Sequence, residues 1–343
     1  MKQSNALILI LTILLFSLGI LSAIDIPLYV KWQSLNYISE NTNQPGKETS
    51  WNEHYQALIG ISPITAGPAE FSLNLVTNRL FHEPTITVQD IQLGYRMGSW
   101  LVSGKSAVIG HGTGFMMDNN AGLRRGYDIY RYQQTRFNGL GIGWEAQNAR
   151  MELCLGGNIH NQAMANAEIT WLPQPEKIES GVSLVQEFRS MDSHWLSPVS
   201  ITAIKLASET PLIKARQATA ISYLPEDDTT PEHIEIYHQS ELQLRLTKHL
   251  HPGIGIMYLN REYTPKTLER YQAYLEYTPG SFTILPLTEL TKVNSTSLWQ
   301  HRMSVFYRIL PQSKVGLFYE YSRQNSSQAV HSIGIEADLS YFF

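Results

Sequence analysis

From about residue 26 to its last residue the chain alternates, in stretches of about ten residues, between apolar side chains on one parity and polar or small ones on the other. Successive residues of a strand point to opposite faces, so this pattern asks for strands with a different environment on each side. Clear cases are Phe71-Ser-Leu-Asn-Leu75, Leu140-Gly-Ile-Gly-Trp144, Leu242-Gln-Leu-Arg-Leu-Thr247 and Val315-Gly-Leu-Phe-Tyr-Glu-Tyr321. The last stretch, Ile333 to Phe343, runs to the end of the chain. An all-β fold follows, and no βαβ alternation exists anywhere.

About eighteen such segments can be counted, with sixteen as the nearest alternative, beginning near residues 26, 53, 69, 85, 100, 136, 149, 163, 179, 198, 212, 233, 254, 268, 282, 298, 313 and 331. The connections between them fall into two alternating classes. One is short and turn-like: Pro63 to Pro68, Gly98-Ser99, Gln147-Asn148, Pro173 to Lys177, Ser208 to Pro211, His251 to Gly253, Pro279 to Ser281 and Pro311 to Ser313. The other is polar and includes the longer ones: Ser39 to Asn52, Gly110 to Thr135, Leu224 to Pro231, Thr291 to Ser297 and Arg323 to Val330. Tight turns at one rim and loops at the other are what an antiparallel up-and-down barrel produces.

A soluble β-sandwich would also satisfy strand recurrence. The placement of aromatics argues for a membrane instead. Trp32, Tyr95, Trp100, Trp144, Trp171, Tyr223, Tyr277, Trp299, Tyr307 and Tyr341 lie near segment ends on the apolar parity, where girdles at the two membrane interfaces belong. The opposite parity is rich in Gly, Ser, Asn, Gln and isolated charges, as a water-filled interior requires. Only 16% of residues are charged, against roughly 25% in soluble domains. The expected fold is a transmembrane antiparallel up-and-down β-barrel.

The first segment does not join this pattern. Lys2 precedes the uncharged apolar run Ala6 to Ile20, and Ser22-Ala23 follows it, the order of a secretory signal peptide with cleavage after Ala23. A retained anchor is the alternative, since the run is nearly long enough to span. The expected organisation is a signal peptide over 1–23 and a barrel over 24–343.

The signal, the ten-residue alternating strands and the aromatic ending Ser340-Tyr341-Phe342-Phe343 resemble bacterial outer-membrane β-barrel proteins of the porin type. The resemblance implies an outer-membrane location in a Gram-negative bacterium, contact with outer-membrane lipid, and recognition of the terminal strand by the barrel-assembly machinery through Tyr341 and Phe343. A shorter likeness, Gly110-His-Gly-Thr-Gly-Phe115 followed by Leu123-Arg-Arg-Gly126 and Phe137-Asn-Gly139, is to a segment of other Gram-negative barrel proteins.

Barrels of sixteen to eighteen strands leave an aqueous channel, and this length leaves no room for a separate plug domain. The expected function is passive or facilitated diffusion of small polar solutes. The longest connection, Gly110 to Thr135, is the third on the loop rim if the amino terminus is periplasmic, and in porins the third loop folds into the channel. Asp118, Arg124, Arg125, Asp128 and Arg131 make it the candidate constriction, with Arg96, Lys105 and Glu145 the nearest wall charges. Such charges select ions by sign and size. The alternative role for Arg124 and Arg125 is to pair with carboxylates and hold the loop shut.

Other functions fit less well. With 26 Lys and Arg against 30 Asp and Glu there is no basic surface for nucleic acid. Cys154 is the only cysteine, so neither a disulfide framework nor a multi-cysteine metal site can form. The Gly-x-Gly-x-Gly run at 110–114 lacks the helix and βαβ setting of a dinucleotide site. The acidic loop Glu226-Asp227-Asp228 with Glu232 and His233 could serve a rim hydrolase of lipid or peptide, and His249 with His251 a metal, but a solvated loop and a turn account for them. No enzyme, cofactor or metal is expected; a structural or surface-interaction barrel, or a homo-oligomer, is compatible with the same pattern.

Overall fold

In the computed structural model the described residues are 28–41, 49–80, 83–109, 135–158, 162–173, 181–191, 194–226, 231–261, 267–325 and 328–342, and they form strands and no helix. The first nine strands are β1 (Leu28–Asn41), β2 (Thr49–Ala66), β3 (Ala69–Leu80), β4 (Glu83–Met97), β5 (Trp100–Ile109), β6 (Thr135–Glu145), β7 (Ala149–Asn158), β8 (Ala163–Trp171) and β9 (Gly181–Met191). The next nine are β10 (His194–Glu209), β11 (Ile213–Leu224), β12 (His233–Leu244), β13 (Leu250–Arg261), β14 (Leu268–Tyr277), β15 (Phe282–Val293), β16 (Thr296–Leu310), β17 (Ser313–Gln324) and β18 (Gln328–Phe342). Each pairs antiparallel with its neighbours in sequence, the up-and-down order. β1 pairs with β2 and also with β18, from Tyr29↔Phe342 to Asn41↔Val330, so the last strand lies beside the first. Residues 1–23, loop 110–134 and Phe343 lie outside the described residues, as does the side chain of Tyr341.

Over most of the sheet the two parities separate. One carries exposed apolar side chains: Leu93 and Tyr95 on β4, Leu140 on β6, Leu317 on β17 and Ile333 on β18 among others, with Leu93 63% and Ile333 61% exposed. The other carries buried polar and charged ones, Glu187, Gln239, Arg270, Glu289 and Glu336 among them. A soluble protein has the reverse arrangement, so the outward face is built for an apolar solvent. Trp299 and Tyr307 are both exposed on the outward face of β16. Eight residues separate them, about 26 Å along the strand and about 20 Å along the barrel axis at a ~40° tilt, close to the height of a lipid-facing band. Tyr95, Trp100, Trp171, Tyr277 and Phe282 join Tyr307 at the turn end, and Tyr223, Tyr271 and Tyr319 join Trp299 at the loop end. Trp32 and Trp144 are half-buried.

Turns follow their residues. Gly67 (φ 62°) precedes Pro68 between the paired Ala66 and Ala69, so only the first central residue has positive φ and the turn has the type II′ pattern. Gly98 (φ 60°) with Ser99 links Met97 to Trp100 in the same number of residues. Three expected connections need correction. Pro63 is not in a turn but inside β2, where the ladder to β3 shifts register between Ile61 and Ile64; a residue without an N–H is accommodated at such an irregularity. His251 to Gly253 is strand, not turn: the chain turns at 245–249, and Gly253 pairs with Tyr274, whose ring occupies the space a Cβ at Gly253 would fill. Thr291 to Ser297 is no loop; Val293 pairs with Thr296 across Asn294-Ser295, with Asn294 at φ 54°. Asn tolerates that left-handed conformation better than most residues.

The inward face is not uniformly polar, which corrects the expectation of a wholly wet interior. Val185 of β9, Val199, Ile201 and Ala203 of β10, Ala218 and Ala220 of β11, Tyr237 of β12 and Met257 of β13 form a buried apolar cluster. A smaller one joins Phe137, Cys154 and Met164 on β6, β7 and β8.

Candidate functional site

The inward wall is where this chain concentrates its charge. Alternation sends one parity of every strand inward, so charges spaced by two on neighbouring strands meet across the ladder. At the turn end, Arg96 of β4 pairs with Glu70 of β3, and its guanidinium lies 3.5 Å from Glu145 of β6. Glu145 also accepts from Arg150 at 2.8 Å. Thus Arg96 and Glu145 share one ion-pair group. Lys105 sits higher on β5, opposite Gly139, and pairs with Glu152 of β7. Glycines 139, 141 and 143 face inward between them, so β6 leaves room for the long side chains of its neighbours; a Cβ at Gly141 would lie 3.5 Å from Lys105 Cε. Asp118, Arg124, Arg125, Asp128 and Arg131 belong to the loop outside the described residues.

Farther round the sheet the wall carries pairs that sequence reading did not single out. On β14 and β15, buried Arg270 donates to Glu289, which also accepts from Gln272 at 3.1 Å and from Thr291 at 2.9 Å. On β16, Arg302 pairs with Glu336 of β18 and stacks its guanidinium 4.1 Å above the ring centre of Phe318 on β17. The Tyr274 hydroxyl donates to Glu241 of β12 at 3.1 Å, reaching across β13 over Gly253. Lys205 lies 3.8 Å from Glu168 and Lys214 3.7 Å from Glu209. The signal that could have found them was present, since each is a charge on inward parity. What the sequence lacked was register, which decides who is opposite whom.

Taken around the wall, the charges are not evenly spread. On β4 to β11 the inward bases are Arg96, Lys105, Arg150, Arg189, Lys205, Lys214 and Arg216, against Glu145, Glu152, Glu168, Glu187 and Glu209. On β12 to β18 the order reverses: Glu235, Glu241, Glu276, Glu289, Glu320, Glu336 and Asp338 face Arg270, Arg302, Arg308 and Lys314. One arc is therefore net basic and the other net acidic among the described side chains. Opposed arcs of opposite sign set up a field across an enclosed space, and low-dielectric walls strengthen it.

The candidates for other chemistry are held apart. His233 Nδ1 lies 3.0 Å from the Pro231 carbonyl, while Glu232 accepts from Tyr223 at 3.0 Å. Asp227 and Asp228 are outside the described residues. His249 and His251 turn to different partners, the carbonyls of Thr278 at 2.7 Å and Thr247 at 3.1 Å. Among the described residues no three His, Cys, Asp or Glu side chains converge as metal ligands.

No protein-family model and no curated protein sequence matches the chain. Its fold does match solved structures. OccK2 of Pseudomonas aeruginosa, solved with glucuronate, superposes with a TM-score of 0.59 at 9% identity, covering 92% of this chain and 98% of that one. OpdK of the same organism, solved with vanillate, gives 0.53 at 9% identity over 92% and 99%. OccAB4 of Acinetobacter baumannii gives 0.53 at 8% over 92% and 98%. The chain thus has the fold of bacterial outer-membrane porin-type barrels over nearly its whole length.

Proposed function

We propose that this protein is an outer-membrane channel through which small polar solutes diffuse. The observation that carries the reading is the inward wall: a net basic arc on β4 to β11 and a net acidic arc on β12 to β18, enclosed by a sheet whose outer face is largely apolar. A wall of this kind lowers the cost of dehydrating a polar or charged solute and orients its dipole, which a filled or apolar interior would not do. Ligands held by OccK2 and OpdK, glucuronate and vanillate, are small carboxylates. A carboxylate is a natural guest for the Arg96, Lys105 and Arg150 side of this wall, with any hydroxyls offered to the Glu and Gln side.

Finer features belong to the same reading. The mature barrel spans 24–343 after loss of the 1–23 signal, is built on eighteen strands, and is narrowed by loop 110–135 with Asp118, Arg124, Arg125, Asp128 and Arg131. Tyr341 and Phe343 serve its assembly. A planar-bilayer recording tests the whole: discrete conductance steps are expected, with a reversal potential in a salt gradient that moves when Lys105 or Arg124 and Arg125 are neutralised. Absence of conductance at every voltage from correctly folded protein would overturn the channel.

A further inference from the structure

We propose that Asp338 of β18 is a subsite on the inner wall for the primary ammonium group of a solute, a reading that rests on the channel proposed above. The other buried carboxylates of the described wall have partners within the protein. Glu187 pairs with Arg189, Glu289 with Arg270 and Glu336 with Arg302. Glu241 accepts from the Tyr274 hydroxyl and Glu320 from the Gln300 amide at 3.4 Å, and Glu235 is engaged as well. Asp338 is the exception. It is 8% exposed, and its Oδ1 has no hydrogen-bond partner among the described residues.

The wall around Asp338 shows why no base reaches it. Lys314 of β17 stands directly opposite in the ladder, yet its ammonium lies 4.4 Å from the ring centre of Phe306 instead. Gly316 makes room for that ring: a Cβ on Gly316 would lie 2.6 Å from Phe306 Cδ1. Phe318 lies in the same way over Gly334, 2.8 Å from where a Cβ would stand, and holds Arg302 at 4.1 Å above its centre. Two rings thus tile the wall over two glycines, and each takes a cation onto its face. Arg302 still reaches Glu336 from its ring, whereas Lys314 has no ion-pair partner among the described residues. The nearby Ser313 hydroxyl is committed to Ser340, accepting from its backbone N–H at 2.9 Å and donating to its carbonyl at 3.0 Å.

A carboxylate without a partner in a low-dielectric wall is costly. Its charge is shared by both oxygens, so a cation arriving from the enclosed space relieves the whole group. Three features select the kind of cation. Asp338 lies in the acidic arc, two residues along β18 from Glu336, so anions are repelled. A divalent metal needs several oxygen ligands, and among the described residues no such set converges on Asp338. The same stretch of wall already accommodates one primary ammonium, that of Lys314 over Phe306, and such a group brings three N–H donors to a carboxylate that lacks one.

The test is the conductance of full-length protein in planar bilayers as ethanolammonium chloride replaces potassium chloride at constant ionic strength. Tetramethylammonium chloride, which has no N–H, is the control. Ethanolammonium should lower the current saturably, and Asp338→Asn should raise its half-effect concentration about tenfold, the loss of one charge-assisted hydrogen bond. Equal effects of the two cations, or an effect unchanged in Asp338→Asn, would overturn the proposal. Saturation-transfer NMR of ethanolammonium with detergent-solubilised protein reads binding without conductance. Signal is expected for the wild type and lost in Asp338→Asn; its absence from folded wild type also overturns the subsite. Protein that binds ethanolammonium but never conducts refutes the channel alone and leaves the subsite standing. Heat-modifiable migration on a gel checks folding, and should Asp338→Asn fail it, Asp338→Ser is tested under the same criteria.

Discussion

At the scale of single residues, the wall depends on side chains that hold one another in place. Tyr274 reaches Glu241 only because Gly253 presents no Cβ; one built there would lie 2.2 Å from the ring's Cζ. Gly253→Val should expel the ring and lower stability by about 1–3 kcal/mol, read as a reduced urea midpoint in detergent, whereas Tyr274→Phe should cost only about 1 kcal/mol. Arg270 and Glu289 are both buried, at 1% and 2% exposure. Arg270→Met strands a buried carboxylate and should cost about 3–5 kcal/mol, much of it recovered when Glu289→Gln is added. If the double variant is no better than the single one, the pair does not behave as a buried ion pair. None of these couplings was visible in the sequence, because residues 33 positions apart, such as Glu241 and Tyr274, come together only through two strand registers.

At the scale of elements, the reading by alternation succeeded where one environment persists along a strand. Starts expected at 69, 100, 149, 163, 233, 268, 282 and 313 coincide with those of β3, β5, β7, β8, β12, β14, β15 and β17. The misplaced boundaries cluster at prolines and short loops. Pro63 and Pro252 fall where the pattern predicts turns, yet both lie inside strands, β2 and β13. Proline removes a donor but does not itself end a ladder where the register shifts or a neighbour's pairing stops. The tightest turns carry a conformational requirement that can be checked: Gly98→Val places a β-branched residue at φ 60° and should slow folding and lower the melting temperature, while Asn294→Gly should be neutral or slightly stabilising. Heat-modifiable migration after timed refolding measures both. Loop 110–134 belongs to this scale too: Arg124→Ala with Arg125→Ala should shift ion selectivity if the loop narrows the channel, and change only stability if the arginines merely fasten it.

At the scale of the whole molecule, what matters is the distribution of charge around the enclosed wall. Neutralising several members of one arc should act in proportion to number, not to any single residue. Lys105→Gln, Arg150→Gln and Lys205→Gln together should move the reversal potential toward cation preference, and Glu235→Gln with Glu320→Gln toward anion preference, in the same salt gradient. Removing Phe343 should reduce the folded fraction in the outer membrane without altering the unit conductance of what does assemble. That the chain is all-β, that one parity meets an apolar surrounding, and that aromatics mark the two ends of the band are legible in the sequence, because each is written in residue type and period two. Only the folded sheet shows which charges pair, that the wall divides into arcs of opposite sign, and that β9 to β13 turn an apolar cluster toward the inside. Those properties depend on register between strands and on the order of strands around the sheet, and a linear pattern carries neither.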